Sequence, residues 1–566
     1  MVFGWGHDDV RRRLLRAAGW LALIWVVVFW RLGYLSLLDP DEAHYAQITK
    51  EMLAAGEWLV PLLGGQPLID KPVMFHWIQG LSFTVFGTTE FAARVPSALS
   101  ALLLIWTTYW LGREVFDRDT GRRAAAMLLT TPATFALASV GLFDMLFTAF
   151  LFGAVACLIV AVVRQRYRLQ WAGYALLSLA IMTKGPVAAL LLGVAFACAL
   201  IFVPSARSDL GRLRWLSGPL AAVALAAPWF AWMAWRFGGD FIERYVIQGN
   251  VWYITHPYPN RQSNYVFYAR TYLGAFAPWG LLVLGRAIDL ARTKGRSVDR
   301  SEWLLACWVA AVLGVFTLTR FKLDHYIYPA APALCLIASR AWASASEREA
   351  PAFWQRAIVI ALPAVFIAGA IVLGVSMHDL NLQISPDAII FPVAVVVAAI
   401  VMAVRVVRAG WRAPVFPTAV VGTLLVTYAS VVIFGYPVLE RVRPTAVIGR
   451  WIASHQPPSA AVGLFEVDEW EASLRFYSDR RVERLDDVNK LQAFLSGSGP
   501  RSLVMRRRRY RALREMGVPL RLGFVCDAVV GRTGKGLRRQ QWGRLVVALR
   551  ADDPQPAAQN QNRRAN

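Results

Sequence analysis

Residues 144–163 read DMLFTAFLFGAVACLIVAVV, and residues 164–168 read RQRYR. An acid opens the run, nineteen uncharged residues follow, and three arginines close it. At about 1.5 Å per residue, such a run reaches across the ~30 Å hydrocarbon core of a bilayer. It does so as a helix, because lipid offers no partner to exposed backbone groups. Arg164, Arg166 and Arg168 mark the cytoplasmic end by the positive-inside bias, and Asp144 falls at the opposite rim.

Working outward, the same reading gives thirteen candidate spans, at about 17–36, 91–112, 122–139, 144–163, 170–183, 186–203, 215–235, 269–289, 302–318, 327–344, 355–375, 388–407 and 414–436. Arg11, Arg12, Arg13 and Arg16 precede the first, which places the N-terminus in the cytoplasm. The arginine-rich connections at 113–123, 164–168, 207–214, 286–300 and 405–412 fall on the same side. An odd number of spans then puts the C-terminal region outside. No small-residue cleavage site follows the first run, so it reads as a retained signal anchor.

Composition agrees. Of the 566 residues 57% are apolar and 17% charged, against ~45–50% and ~25% in soluble domains, which excludes an ordinary soluble enzyme and a disordered chain. The formal charge of +23 belongs to cytoplasmic loops facing anionic lipids rather than to nucleic-acid binding, which would leave the apolar runs unexplained. The five cysteines form no CxxC or spaced pair, so neither a zinc site nor a disulfide framework is indicated. No internal repeat appears. The expected class is an all-α polytopic membrane domain over 1–436, with long outside loops at 37–90 and 236–268. From 437 to 551 charge rises and the apolar runs shorten. Strands at 461–465, 502–505 and 522–530, with helices near 446–455, 485–496 and 508–516, predict a small soluble α/β domain. The tail 552–566, rich in Gln, Asn, Pro and Ala, reads as disordered.

Ionisable residues cluster at the outside rim. LLDPDEAHYAQITKEML (37–53) places Asp39, Asp41, Glu42 and His44 directly after the first span. A helix capped by Asp39 with Glu42 three residues on accounts for two of them. Asp41 and His44 share a helix face, and Tyr45 adjoins them. LIDKPVMFHW (68–77) brings Asp70, Lys71 and His76. Lys71 reads either as an interfacial anchor beside Trp77 or as a ligand for a lipid phosphate. Asp144 is a costly acid at the edge of an apolar helix; it marks a functional site or pairs with a neighbouring Arg or Lys for packing. Lys184 in MTKGP, and Arg320, Lys322, His325 and Tyr326 in TRFKLDHYIYP, bring further basic groups to the same surface. The second loop, with Asn250, His256 and Arg261 among aromatics and amides, suits a sugar.

The order of these motifs resembles the bacterial aminoarabinose lipid A transferases. These are polyprenyl-phosphate-dependent glycosyltransferases of the GT-C fold, related to protein O-mannosyltransferases. The matching features are an acidic pair after the first span, KP in the same loop, an Asp near the fourth span, KGP, and KLxxYIxP before the tenth. The resemblance implies a catalytic acid at Asp41 within the Asp41–Glu42 pair, a phosphate-binding lysine at Lys71 and a second functional acid at Asp144. It departs from the family's DExRY at Asp41-Glu42-Ala43-His44-Tyr45 and from KLPxY at Lys322-Leu323-Asp324-His325-Tyr326, where substrate would bind.

The expected function is sugar transfer, in a bacterial cytoplasmic membrane, from a polyprenyl (undecaprenyl) phosphate donor to a lipid A-type or other envelope acceptor. Lys71, Lys184, Lys322 and Arg320 would hold the donor phosphate. His44, Tyr45, His76, Asn250, His256, Arg261, His325 and Tyr326 would contact substrate. The alternatives are a same-fold transferase of mannose, arabinose, galactose or galacturonic acid acting on a protein or glycan, a lipid-linked sugar flippase, or a scaffold whose C-terminal domain does the work. No cofactor is required. Asp41, Asp70 and His256 are the residues that a divalent metal ion would take.

Overall fold

A computed structural model describes residues 7–257, 264–292, 299–346, 353–379, 387–409, 415–441, 443–467, 470–530 and 541–553. The chain is mostly helical. Among the described residues, Glu90–Val115, Phe143–Val163, Ser217–Phe237 and Arg300–Leu318 are long and apolar enough to cross a membrane. Two bent pairs raise this to six if each is one span: Val187–Phe202 with Pro204–Gly211, and Phe267–Phe276 with Trp279–Arg292.

Proline accounts for the breaks inside segments expected to be continuous, since it lacks the donor and clashes with the preceding turn. The 122–139 segment becomes two helices, Arg118–Leu129 and Pro132–Ala138, with Thr131 Oγ1 capping the second by accepting from the Thr134 amide. The 269–289 segment bends by 116° around Pro278.

Phe143–Val163 forms the centre of the bundle, buried along nearly its whole length. Its glycine and alanines let neighbours close in, as expected where helices must pack without a hydrophobic drive from lipid. Leu176 lies against Gly153, and Gly173 of the helix Leu169–Lys184 approaches the Ala154 carbonyl.

Outside this bundle, the first loop folds into a helix Asp41–Ala54, a short hairpin pairing Leu62–Leu63 with Gln66–Pro67, and a second helix Met74–Phe86. Asp39 is not the helix cap that its position suggested. Pro40 occupies the cap without a side-chain hydrogen bond, and Asp39 Oδ2 instead accepts from Thr445 Oγ1 at 3.3 Å.

From Pro444 onward the chain forms a five-stranded mixed sheet. The strand order is Val482–Leu485, Ala461–Phe465, Arg501–Arg506, Gln541–Arg550, Leu520–Val530. The first three strands run parallel, and the last two form antiparallel pairs. Alternation along one strand builds two cores. Leu545, Val547 and Leu549 face Ile448, Ile452 and Leu474, while Val546 and Ala548 face Phe494, Tyr510 and Leu513.

Helix Glu471–Ser478 seats this sheet on the first loop. Ala472 and Phe476 pack with Leu37, Ala43, Ala46, Phe83, Ala92 and Ala93. Polar contacts ring the apolar patch. The Leu37 amide donates to Tyr477 Oη at 2.7 Å, and the Ser36 amide to Glu440 at 2.8 Å. Arg450 meets Glu90 at 2.5 Å, and Lys50 pairs with Asp479.

Asp39 lies in this junction, and burial pushes its carboxyl up to about 6. A carboxylate with a raised folded-state pKa favours the folded form below the unfolded value near 3.8 and loses that contribution as pH rises through about 6. Asp39→Asn should therefore raise thermal stability at pH 8, by an amount on the order of 1–3 kcal/mol, and change little at pH 4. Equal melting shifts at both pH values would contradict the buried, charged Asp39.

Candidate active site

A cavity of about 220 Å³ opens beside the first loop, and six residues singled out from the sequence line it: Asp70, Lys71, Asp144, Lys184, Asn250 and Tyr326. They come from five separate stretches of chain, each positioned by local structure. Asp144 sits in the first turn of Phe143–Val163, where the helix dipole favours an anion. Lys184 is the last residue of its helix, where a cation is favoured. Gly185, at φ +78°, then turns the chain, and a Cβ there would stand 2.2 Å from the Tyr245 hydroxyl. This is the physical reason for glycine after lysine in the KGP motif.

Lys184 Nζ donates to Asp144 Oδ1 at 2.5 Å, while His325 Nε2 stands 3.6 Å from Asp144 Oδ2. The Lys184 ammonium also lies over the rings of Phe147 and Tyr326, at 5.5 and 5.4 Å. Lys71 Nζ lies 3.9 Å from Asp70 Oδ2. Asn250 Nδ2 donates to the Tyr245 carbonyl at 2.7 Å. Much of the remaining wall is apolar, with Val187, Leu190, Ile254, Val315 and Phe316.

Asp41, His44 and Tyr45 lie on the helix Asp41–Ala54 and are not part of the cavity lining. Asp41 is exposed, and the Tyr45 ring packs edge-on against Phe143 at 4.6 Å. Burial, with the negative fields of Asp41, Asp70 and Asp144, holds the Tyr45 hydroxyl well above the ordinary tyrosine range, so it remains a donor. Burial lowers His44 against the opposing fields of Asp70 and Asp41. Asp41 and Asp70, twenty-nine positions apart, thus act on both side chains.

Other expected site residues have different surroundings. Glu42, expected in catalysis, is fully buried away from the cavity lining. It accepts from Arg94 Nε and Nη2 at 2.7 and 2.9 Å, from the Leu38 amide at 2.7 Å and from the Gly141 amide at 2.8 Å. Lys322, expected on phosphate, is buried and donates to the carbonyls of Phe316, Thr317 and Thr319, closing the end of the helix Arg300–Leu318. Arg320 is exposed and outside the lining. His76 is buried, its Nδ1 2.8 Å from Thr49 Oγ1, and burial lowers it to about 3. His256 is exposed and stacks on Trp252. Arg261 lies outside the described residues.

Among the described residues no three His, Cys, Asp or Glu side chains converge as a metal site, so Asp41, Asp70 and His256 do not form the expected trio. His256 Nδ1 is taken up locally, 2.8 Å from Thr255 Oγ1. Sequence reasoning missed Tyr245, whose packing against Gly185 shapes the cavity. Its only signal was the aromatic density of the second loop.

With this geometry in view, comparison shows what the chain is similar to. Its fold is that of ArnT from Cupriavidus metallidurans: it overlays the crystal structure of that protein bound to undecaprenyl phosphate with a TM-score of 0.72, at 23% identity, over 94% of this chain and 97% of that one. Residues 70–232 match the family of dolichyl-phosphate-mannose-protein mannosyltransferases. An undecaprenyl phosphate-α-4-amino-4-deoxy-L-arabinose arabinosyl transferase of Sodalis glossinidius is 30% identical over 341 residues, 57% of this chain and 59% of that protein. One from Erwinia tasmaniensis is 31% identical over 327 residues, 55% and 58%. An uncharacterized protein of Aquifex aeolicus is 25% identical over 84% of this chain and 89% of its own length. The chain thus spans a little under three fifths of the named transferases it matches. The chain is thus similar to these transferases over part of its length and shares the fold of ArnT, as the ordered motifs implied.

Proposed function

We propose that the chain is a glycosyltransferase of the bacterial cytoplasmic membrane, moving a sugar from an undecaprenyl-phosphate-type donor to a lipid A-type or other envelope acceptor. One observation carries the reading: Lys71, Lys184, Asp70 and Asp144 meet in a single cavity that is also walled by Val187, Leu190, Ile254, Val315 and Phe316. A charged head on a polyprenyl tail needs such a two-sided site. The similarity to transferases named for this donor supports the same assignment.

In this reading Lys71 and Lys184 take the donor phosphate and stabilise the charge that grows on it as the glycosidic bond breaks. Lys322 serves as a helix cap instead. Tyr45 donates a hydrogen bond toward the same region. Asp41 orients the acceptor, and removes its proton where the acceptor is a hydroxyl. A phosphate acceptor is already ionised and leaves Asp41 the orienting role alone.

The reading carries a topology. Residues 1–436 cross the membrane thirteen times from a cytoplasmic N-terminus. The loops 37–90 and 236–268 lie outside, and 437–551 forms a periplasmic α/β domain resting on the first of them. No cofactor is needed for the transfer.

Mass spectrometry of envelope lipids and glycans, from cells with and without the protein, tests this. The expected result is loss of one discrete sugar mass from one acceptor class. Unchanged acceptors together with redistribution of a lipid-linked sugar across the membrane would replace transfer by flipping.

A further inference from the structure

The charged groups lining the cavity are Asp70, Asp144, Lys71 and Lys184. Two acids stand against two bases, so the wall sums to zero. A glycosyl phosphodiester entering it brings one negative charge. The phosphate then competes with Asp144 for the Lys184 ammonium, which donates to Asp144 at 2.5 Å. Asp144, 7% exposed, would then share its one close cation with a second anion, which is unfavourable for a buried carboxylate.

One further group faces Asp144. His325 Nε2 stands 3.6 Å from the other carboxylate oxygen, within ion-pair reach and beyond a good hydrogen bond. Its ring sits edge-on to Tyr326 at 5.3 Å, and its side chain is 23% exposed, enough for exchange with water. The other titratable groups around this turn are engaged elsewhere. Asp324 accepts from Thr271 Oγ1 at 3.0 Å, and Lys322 is held by three carbonyls. Tyr268 lies under the Lys322 ammonium, and Tyr326 lines the cavity. Arg320 and Arg270 are exposed.

We infer that His325 is a positioning residue that takes up a proton when the lipid phosphate binds, supplying Asp144 with a second cation as the phosphate draws on Lys184. The inference rests on the lipid-phosphate reading of the cavity. Histidine suits the exchange because it changes charge near neutrality, whereas lysine and arginine do not. It keeps the occupied site near zero net charge: phosphate on Lys71 and Lys184, Asp144 on imidazolium, and the proton drawn from solvent to His325 Nε2.

The test uses the full chain in nanodiscs and a polyprenyl methyl phosphate, a phosphodiester of fixed single charge that does not itself titrate near neutrality. Calorimetry at pH 7.5, in two buffers of different ionisation enthalpy, counts protons. The wild type should take up a fraction of one proton per ligand, and its affinity should weaken toward tenfold per pH unit between pH 7 and 9. His325→Gln should take up none, with a flat pH profile and weaker binding at pH 6. His325→Lys should also be flat, but at the wild type's low-pH affinity. Wild-type binding without proton uptake, or full uptake retained in His325→Gln, overturns the proposal. Should His325→Gln fail to fold, the wild-type slope and the lysine variant still decide. Absence of binding by every form removes the lipid-phosphate reading as well, an outcome distinct from binding without a proton.

Discussion

Glu42→Ala is expected to cost about 3–5 kcal/mol of stability, the usual result of stripping one partner from a buried ion pair. The carboxylate accepts four hydrogen bonds, two from Arg94 and one each from the Leu38 and Gly141 amides. Its loss leaves the Arg94 charge, 2% exposed, uncompensated between the first loop and the helix Glu90–Val115. Arg94 also holds the carbonyls of Leu32, Leu35 and Ser36, so the exit of the first span would loosen with it. A thermal melt in detergent, with the yield of folded protein, measures the effect. Glu42→Gln should do nearly as much harm, because it keeps the shape and removes the charge. A variant that melts like the wild type yet has lost turnover would move Glu42 from the frame into the chemistry.

Lys71→Ala should lower kcat by about 10²–10³, the magnitude associated with removing one preorganised group that stabilises developing negative charge. Asp41→Asn should lose turnover to a similar degree, since Asp41 is exposed at the start of its helix and its removal opens no cavity. Both variants should express and melt like the wild type, in contrast to Glu42→Ala. Assays of purified protein with undecaprenyl-phosphate-linked sugars read the loss directly. Wild-type turnover by either variant would reject its assigned role.

The contrast between adjacent acids explains what the sequence could and could not disclose. Apolar runs closed by arginine, such as 144–168, state their environment outright, because the lipid constraint is local and severe. The ordered rim motifs likewise brought Lys71, Asp144 and Lys184 to one cavity. Asp41 and Glu42 cannot be told apart by pattern: which one turns inward depends on Arg94, fifty-two residues on in the sequence. Lys322 resembled a phosphate ligand because its use as a cap depends on carbonyls freed where the preceding helix ends. The strand Gln541–Arg550 escaped notice because LVVAL, covered on both faces, has no alternation to read. Pro132 and Pro278 broke helices whose hydropathy ran on undisturbed.

The seat of the sheet on the first loop carries a practical corollary. The amides of Ser36 and Leu37 are satisfied by Glu440 and Tyr477, some four hundred positions away. Severing the polypeptide near 440 would therefore bare backbone donors and the alanine-lined patch under Phe476, just where Asp41 begins its helix. Truncation would harm activity by collateral damage, even with every reacting group still attached. Supplying the missing portion in trans, and asking whether turnover returns, would distinguish a structural lid from a catalytic contributor.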